Sequence, residues 1–177
     1  MFATIPLLII AGQFTFETPV RIEADGKPID VTTGHAAPYV YDFDGDGVRD
    51  LLVGEFGSGE FIGPVHMNVE GAHKWSNGRL RFYKNYGTDY DMKLSRWEYV
   101  KAGGEIAVVP ITCCVSFVPH FVDYDNDGDD DILSASYPGD MYMFPGNGDG
   151  TYEKSIHLQN EDGEPLLAWK FLDNRYR

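Results

Sequence analysis

The chain has 177 residues, 43% hydrophobic and 14% aromatic, enough for one domain with a buried core and too few for two comfortable ones. Fourteen Lys and Arg against 28 Asp and Glu leave a net charge of −14, which counts against nucleic acid or an anionic membrane as a partner. Much of the acid falls in two short stretches, 42–50 and 123–131, so it is local, and local acid clusters usually answer a cation.

In chain order, Met1–Gly12 is an apolar run with a small-residue exit and no basic start; it reads as a buried edge strand or a clipped secretion signal. No stretch approaches the ~20 apolar residues that cross a bilayer. Gly, Pro and aromatic residues then set up short strands and tight turns. Strands are expected at Ala37–Tyr41, Asp50–Phe56, Leu80–Lys84 and Trp97–Lys101, and again at Phe117–Val122, Asp131–Tyr137, Asp140–Phe144 and Thr151–Leu158. No window holds a sustained helical period.

The two sets are copies. Residues 38–53 match 119–134, with a Pro, four Asp and a Gly in register, and 78–87 match 139–148. A third echo pairs Thr15–Glu23 with Thr151–Gln159, each followed by a turn, Asp25-Gly26-Lys27-Pro28 or Asp162-Gly163-Glu164-Pro165. The chain thus opens on the last strand of one unit and runs through two more. Four short antiparallel strands per repeat is the unit of a β-propeller blade. A β-sandwich would not explain why an acidic loop recurs at the same place in each unit.

Each acidic loop reads D-x-D-x-D-G-x-x-D. Asp42, Asp44, Asp46 and Asp50 are the acids of the first, with Val48 at position seven. Asp123, Asp125, Asp127 and Asp131 are those of the second, with Asp129 at seven. Alternate residues aim carboxylates at one point, Gly47 and Gly128 permit the turn, and position seven offers a backbone carbonyl. Such an all-oxygen set suits Ca²⁺, and the absence of His and Cys from the loops disfavours zinc. An EF-hand would need Glu at position twelve and flanking helices, but Val53 and Ser134 stand there and a strand follows.

With Gly34-His35-Ala36-Ala37-Pro38, the two acidic loops, Phe56-Gly57 and the Asn147-Gly148-Asp149-Gly150-Thr151-Tyr152 turn, the chain resembles the FG-GAP/VCBS repeats of integrin-α-type β-propellers, in their bacterial secreted form. The resemblance covers about 14–166. It implies an all-β fold of four-stranded propeller blades with Ca²⁺ in the loop between strands one and two. The implied ligands are Asp42, Asp44, Asp46, the Val48 carbonyl and Asp50, then Asp123, Asp125, Asp127, the Asp129 carbonyl and Asp131. Complete propellers have about four to eight blades; this chain supplies two and a fraction, so the expectation is an incomplete ring, completed by further blades or other protomers. The expected organisation is a signal-like or flanking segment at 1–13, a terminal strand and turn at 14–34, a first repeat at 35–115 with an insertion at 57–77, and a second repeat with its tail at 116–177.

The remaining features divide between two readings each. His66, His73 and Trp75 in the insertion form a ligand-contacting loop or a surface hairpin. Cys113 and Cys114 form a strained vicinal disulfide or two buried thiols. No nucleophile elbow, zinc-protease motif or phosphate loop is present. The functional expectation is a calcium-binding, non-catalytic module at the cell surface, outside the cell or in the periplasm, that binds protein or polysaccharide. The alternative is the scaffold of a secreted polysaccharide-degrading, lyase-like enzyme.

Overall fold

The computed structural model describes residues 16–31, 34–57, 77–109, 117–136 and 139–167. Among them there is no helix. The strands are β1 (Glu23–Ala24), β2 (Lys27–Pro28), β3 (Ala37–Tyr41), β4 (Asp50–Glu55), β5 (Gly78–Tyr83), β6 (Glu98–Tyr99), β7 (Lys101–Ala102), β8 (Glu105–Ile106), β9 (Val108–Val109), β10 (His120–Val122), β11 (Asp131–Ala135), β12 (Met141–Phe144) and β13 (Ile156–His157). The first blade is β3-β4-β5-β6 with β9 added along β5; the second is β10-β11-β12-β13. All pairs within both are antiparallel. The fold is all-β and built of propeller-type blades that do not close a ring.

In the first blade the central strand β4 is buried on both sides, so it reads as a continuous run rather than an alternation. Leu51 lies opposite Tyr83, while Leu52 lies opposite Phe82 on the other face. Leu51, Val53, Tyr83 and Leu94 pack against Ala24, Ile29 and Val31. Leu52 and Leu80 join Val100, Ala102, Ala107, Val109, Phe117, Ile132, Phe144 and Tyr152 in the core between the blades. Aromatic rings fill the seam, with Tyr41 stacked on Phe121 at 4.2 Å and Phe117 on Phe144 at 5.2 Å. Burying side chains of this size contributes roughly 1.5–3 kcal/mol each, so this seam holds the blades together.

The hairpins β1–β2 and β7–β8 each reach onto the blade that follows. The β1–β2 turn places Asp25 and Gly26 in the left-handed region, and the Asp25 N–H donates to the Leu94 carbonyl at 2.9 Å. The β7–β8 turn does the same with Gly103 and Gly104, and the Gly103 N–H donates to the Tyr152 carbonyl at 2.7 Å. Leu94 and Tyr152 are equivalent, since they bridge to Asn85 and Gly146 at matching ends of the third strands. The hairpin bases match as well: the Ile29 N–H donates to Ile22 O, Ala107 to Val100 and Leu166 to Leu158.

Several expected strands are shorter than the sequence suggests. Ala37–Tyr41 is found as expected. The expected strand at Thr15–Glu23 is confined, among its described residues, to the Glu23 end of β1, with Phe16 and Val20 exposed. Trp97–Lys101 keeps only Glu98–Tyr99 in the blade, because Lys101 leaves it for the hairpin on the neighbour. Thr151–Leu158 reduces to Ile156–His157, since Tyr152 turns inward to bridge Gly146.

Candidate metal centres

The two acidic loops fold through the same hydrogen bonds. At position six, the Gly47 N–H donates to Asp42 Oδ2 at 2.9 Å, and Gly128 donates to Asp123 Oδ2 at 3.2 Å. At position five, Asp46 N–H donates to Asp44 Oδ1 at 3.3 Å, and Asp127 to Asp125 Oδ1 at 3.2 Å. At position seven, Val48 donates to Asp46 Oδ1 and Asp129 to Asp127 Oδ1, both at 3.0 Å. Positions four and six are left-handed in each loop, Gly45 and Gly47 in one, Asn126 and Gly128 in the other. That backbone turns the first two alternate carboxylates of each loop towards one another.

The ninth residue has a further job. Asp50 and Asp131 are buried, and each accepts two backbone N–H groups. Asp50 receives Phe43 at 3.1 Å and Asn85 at 2.7 Å; Asp131 receives Tyr124 at 3.0 Å and Gly146 at 2.9 Å. Each therefore ties its loop to the end of the third strand. Gly146 is held close, since a Cβ there would lie 2.4 Å from the Asp130 carbonyl oxygen. Burial pushes the Asp50 carboxyl above its ordinary value, against the pull of its two backbone donors.

The loops differ in their surroundings. In the first, the Lys84 ammonium forms ion pairs with Asp44 and Asp46, the latter at 2.7 Å. Lys84 holds the Asp46 carboxyl below the usual range, and the two carboxylates push Lys84 up. Arg49 turns away to Asp89 at 3.0 Å. In the second loop Asp130 replaces Arg49 and Pro145 replaces Lys84. There, burial and the charges of Asp127, Asp131 and Asp123 raise the Asp125 carboxyl.

Acidic side-chain oxygens converge in both loops. Those of Asp42, Asp44 and Asp50 lie within 4.8 Å of one another, as do those of Asp123, Asp125 and Asp127. Asp46 falls outside the first group and Asp131 outside the second. In each loop the other oxygen of the first aspartate, Asp42 Oδ1 or Asp123 Oδ1, is buried with no hydrogen-bond partner. A buried carboxylate oxygen left bare is costly. An oxygen-only donor set with that oxygen left unpaired fits a hard divalent cation such as Ca²⁺.

Between the loops lies a cleft of about 530 Å³, lined by Tyr41, Asp42, Asp44, Asp129, Asp130, Asp149 and Tyr152 among others. Tyr41 closes its inner end on Asp130. His66, His73, Trp75, Cys113 and Cys114 lie outside the described residues. Sequence reasoning missed Lys84 and the anchoring amides of Asn85 and Gly146. The alignment of 78–87 with 139–148 carried the signal, because it sets Lys84 against Pro145.

Residues 123–168 match the family described as FG-GAP-like repeat. No curated protein and no solved structure matches the chain. The matched stretch opens at the second acidic loop and runs through β11–β13 to the closing hairpin, and the first blade repeats its loop bond for bond. Over residues 123–168 the second blade is similar to an FG-GAP-like repeat.

Proposed function

We propose that the chain is a calcium-binding, non-catalytic propeller module that acts at the cell surface, outside the cell or in the periplasm, and binds protein or polysaccharide. The observation that carries the calcium reading is the pair of bare, buried oxygens, Asp42 Oδ1 and Asp123 Oδ1, in two loops with one hydrogen-bond framework. Asp42, Asp44 and Asp50 would hold one ion, and Asp123, Asp125 and Asp127 the other, with the carbonyls of Val48 and Asp129 as the further ligands that the repeat type implies. A bound cation would neutralise carboxylates that otherwise repel one another. The repeat type supports the placement outside the cytoplasm and the binding role.

Calorimetric titration of the full chain with CaCl₂, beside melts in EDTA and in calcium, tests the reading. Extracellular calcium modules have Kd near ~10⁻⁴–10⁻³ M. At ~1 mM free calcium and the tighter limit, linkage gives about 1.4 kcal/mol per site. Binding heat and a higher melting temperature in calcium are expected; identical melts without heat reject the metal. A glycan and protein-ligand array tests the binding role, and absorbing product from pectin or another uronate polymer would overturn the non-catalytic assignment.

A further inference from the structure

Lys84 is the first residue after β5, and its backbone is fixed on both sides by Ser95. The Lys84 N–H donates to Ser95 Oγ at 3.0 Å, and the Ser95 N–H returns to the Lys84 carbonyl at 2.8 Å. The side chain therefore springs from a set point opposite the first acidic loop, and its ammonium pairs with Asp44 and Asp46. Asp44 also belongs to the oxygen group that converges on one point with Asp42 and Asp50. An ammonium and a divalent cation thus draw on one carboxylate. The Lys84 side chain is 26% exposed, and a four-carbon stem of this kind can swing its charge to water without unfolding anything. In the second blade the same position is Pro145, which brings no charge, and the loop gains Asp130 in place of Arg49.

We infer that Lys84 is a built-in competitor at the first loop, which makes the two calcium sites unequal and orders their filling: the second loop takes calcium first, and the first loop only as Lys84 withdraws. This rests on the calcium reading above. Its charge-assisted bonds must be broken before the first loop is fully free, whereas no lysine stands at the matching position of the second loop. The chain would then respond to calcium in two steps, over a wider range of concentration than two equal sites allow.

The test is calorimetric titration of the full chain with CaCl₂, in the wild type and in Lys84→Met, Pro145→Lys, Asp44→Asn and Asp123→Asn. The wild type should show two classes of site about tenfold apart. Asp44→Asn should delete the weaker class and Asp123→Asn the tighter. Lys84→Met should bring the weaker constant to within about threefold of the tighter one. It should also lower the melting temperature in EDTA while enlarging the rise on adding calcium, a crossing that a merely structural lysine would not give. Pro145→Lys should weaken the tighter class, and this arm stands even if Lys84→Met folds poorly. Two equal sites in the wild type, or a weaker constant that Lys84→Met leaves unchanged, overturns the inference while the calcium reading survives. No binding in any variant overturns both.

Discussion

The Tyr41 hydroxyl donates to Asp130 Oδ2 at 2.5 Å, across 89 residues of chain, and so ties the first strand of the first blade to the acidic loop of the second. Tyr41→Phe should cost about 1 kcal/mol, below the ~1.5–3 kcal/mol of a bond to a charged acceptor because this one is open to water. A shift of a few degrees in melting temperature would register it. An unchanged melt would show that the ring stack on Phe121 alone holds this junction.

Burial raises four tyrosines. Tyr142 is pushed up to about 12, with the Asp140 charge as the second cause, and Tyr41, Tyr99 and Tyr152 move in the same direction. Their folded values lie above the unfolded value of about 10, so their contribution is complete below that pH. It is lost as pH rises through the folded values. Melting temperature should hold steady up to about pH 10 and fall beyond it. An ultraviolet titration should show the ionisation of these four tyrosines delayed beyond the ordinary value of about 10.

Asp131 and Asp127 should separate by role. Asp131→Ala strands the Tyr124 and Gly146 amides and should cost about 3 kcal/mol, in EDTA as much as in calcium. Asp127→Ala removes an exposed carboxylate and should matter chiefly in calcium. Melts of both variants in both solutions check this, and equal losses in EDTA would refute it.

Asp125→Asn should reverse sign with conditions. Burial and neighbouring acids raise this carboxyl, so its charge disfavours the metal-free fold once pH exceeds the folded value. At neutral pH in EDTA the variant should melt above the wild type. The advantage should vanish as pH falls below the Asp125 titration, where the wild-type group is also neutral. In calcium the variant should melt below the wild type. A variant that is weaker in every solution would contradict this.

The buried pair of Glu55 and Arg81, 2.5 Å apart, should be costly to break. Both side chains are 2% exposed. The Tyr99 hydroxyl donates to Glu55 Oε1 at 2.6 Å, Arg81 donates to the Asp30 carbonyl at 3.0 Å, and its guanidinium lies 4.2 Å over Trp97. Glu55→Ala should lose roughly 3–5 kcal/mol, since a charge is left buried without its partner. Replacing both with Met should lose less than the single change. Denaturant melts of the three proteins decide it.

Much of this was legible in the sequence because the signals were local. Strand β3 follows from the aromatic and β-branched run Tyr39-Val40-Tyr41, and the acidic loops from their spacing. The Glu55–Arg81 pair was hidden because Arg79 and Arg81 in β5 look like outward-facing polar positions. Only two separate covering segments, one carrying Asp30 and the other Trp97, make that face an interior. The fourth strands were overread for a similar reason. Lys101–Ala102 has the composition of a blade strand, but the Gly103-Gly104 turn folds it onto another blade. Val100 and Ala107 stand seven apart around that turn, as Ile22 and Ile29 do around Asp25-Gly26, so the spacing held the clue.

The hairpins that clasp Leu94 and Tyr152 give the molecule a head and a tail. Each clasp runs one way along the chain, from the end of a unit onto the residue that bridges the end of the third strand in the blade after it. Leu52 and Leu80 on one side of the seam meet Ile132 and Phe144 on the other, so the surfaces in contact are unlike. Two copies turned about a two-fold axis would bring like surfaces together and cannot reproduce this contact. Blades joined in this manner can be added only in sequence, each new one offering the next hairpin its bridging residue.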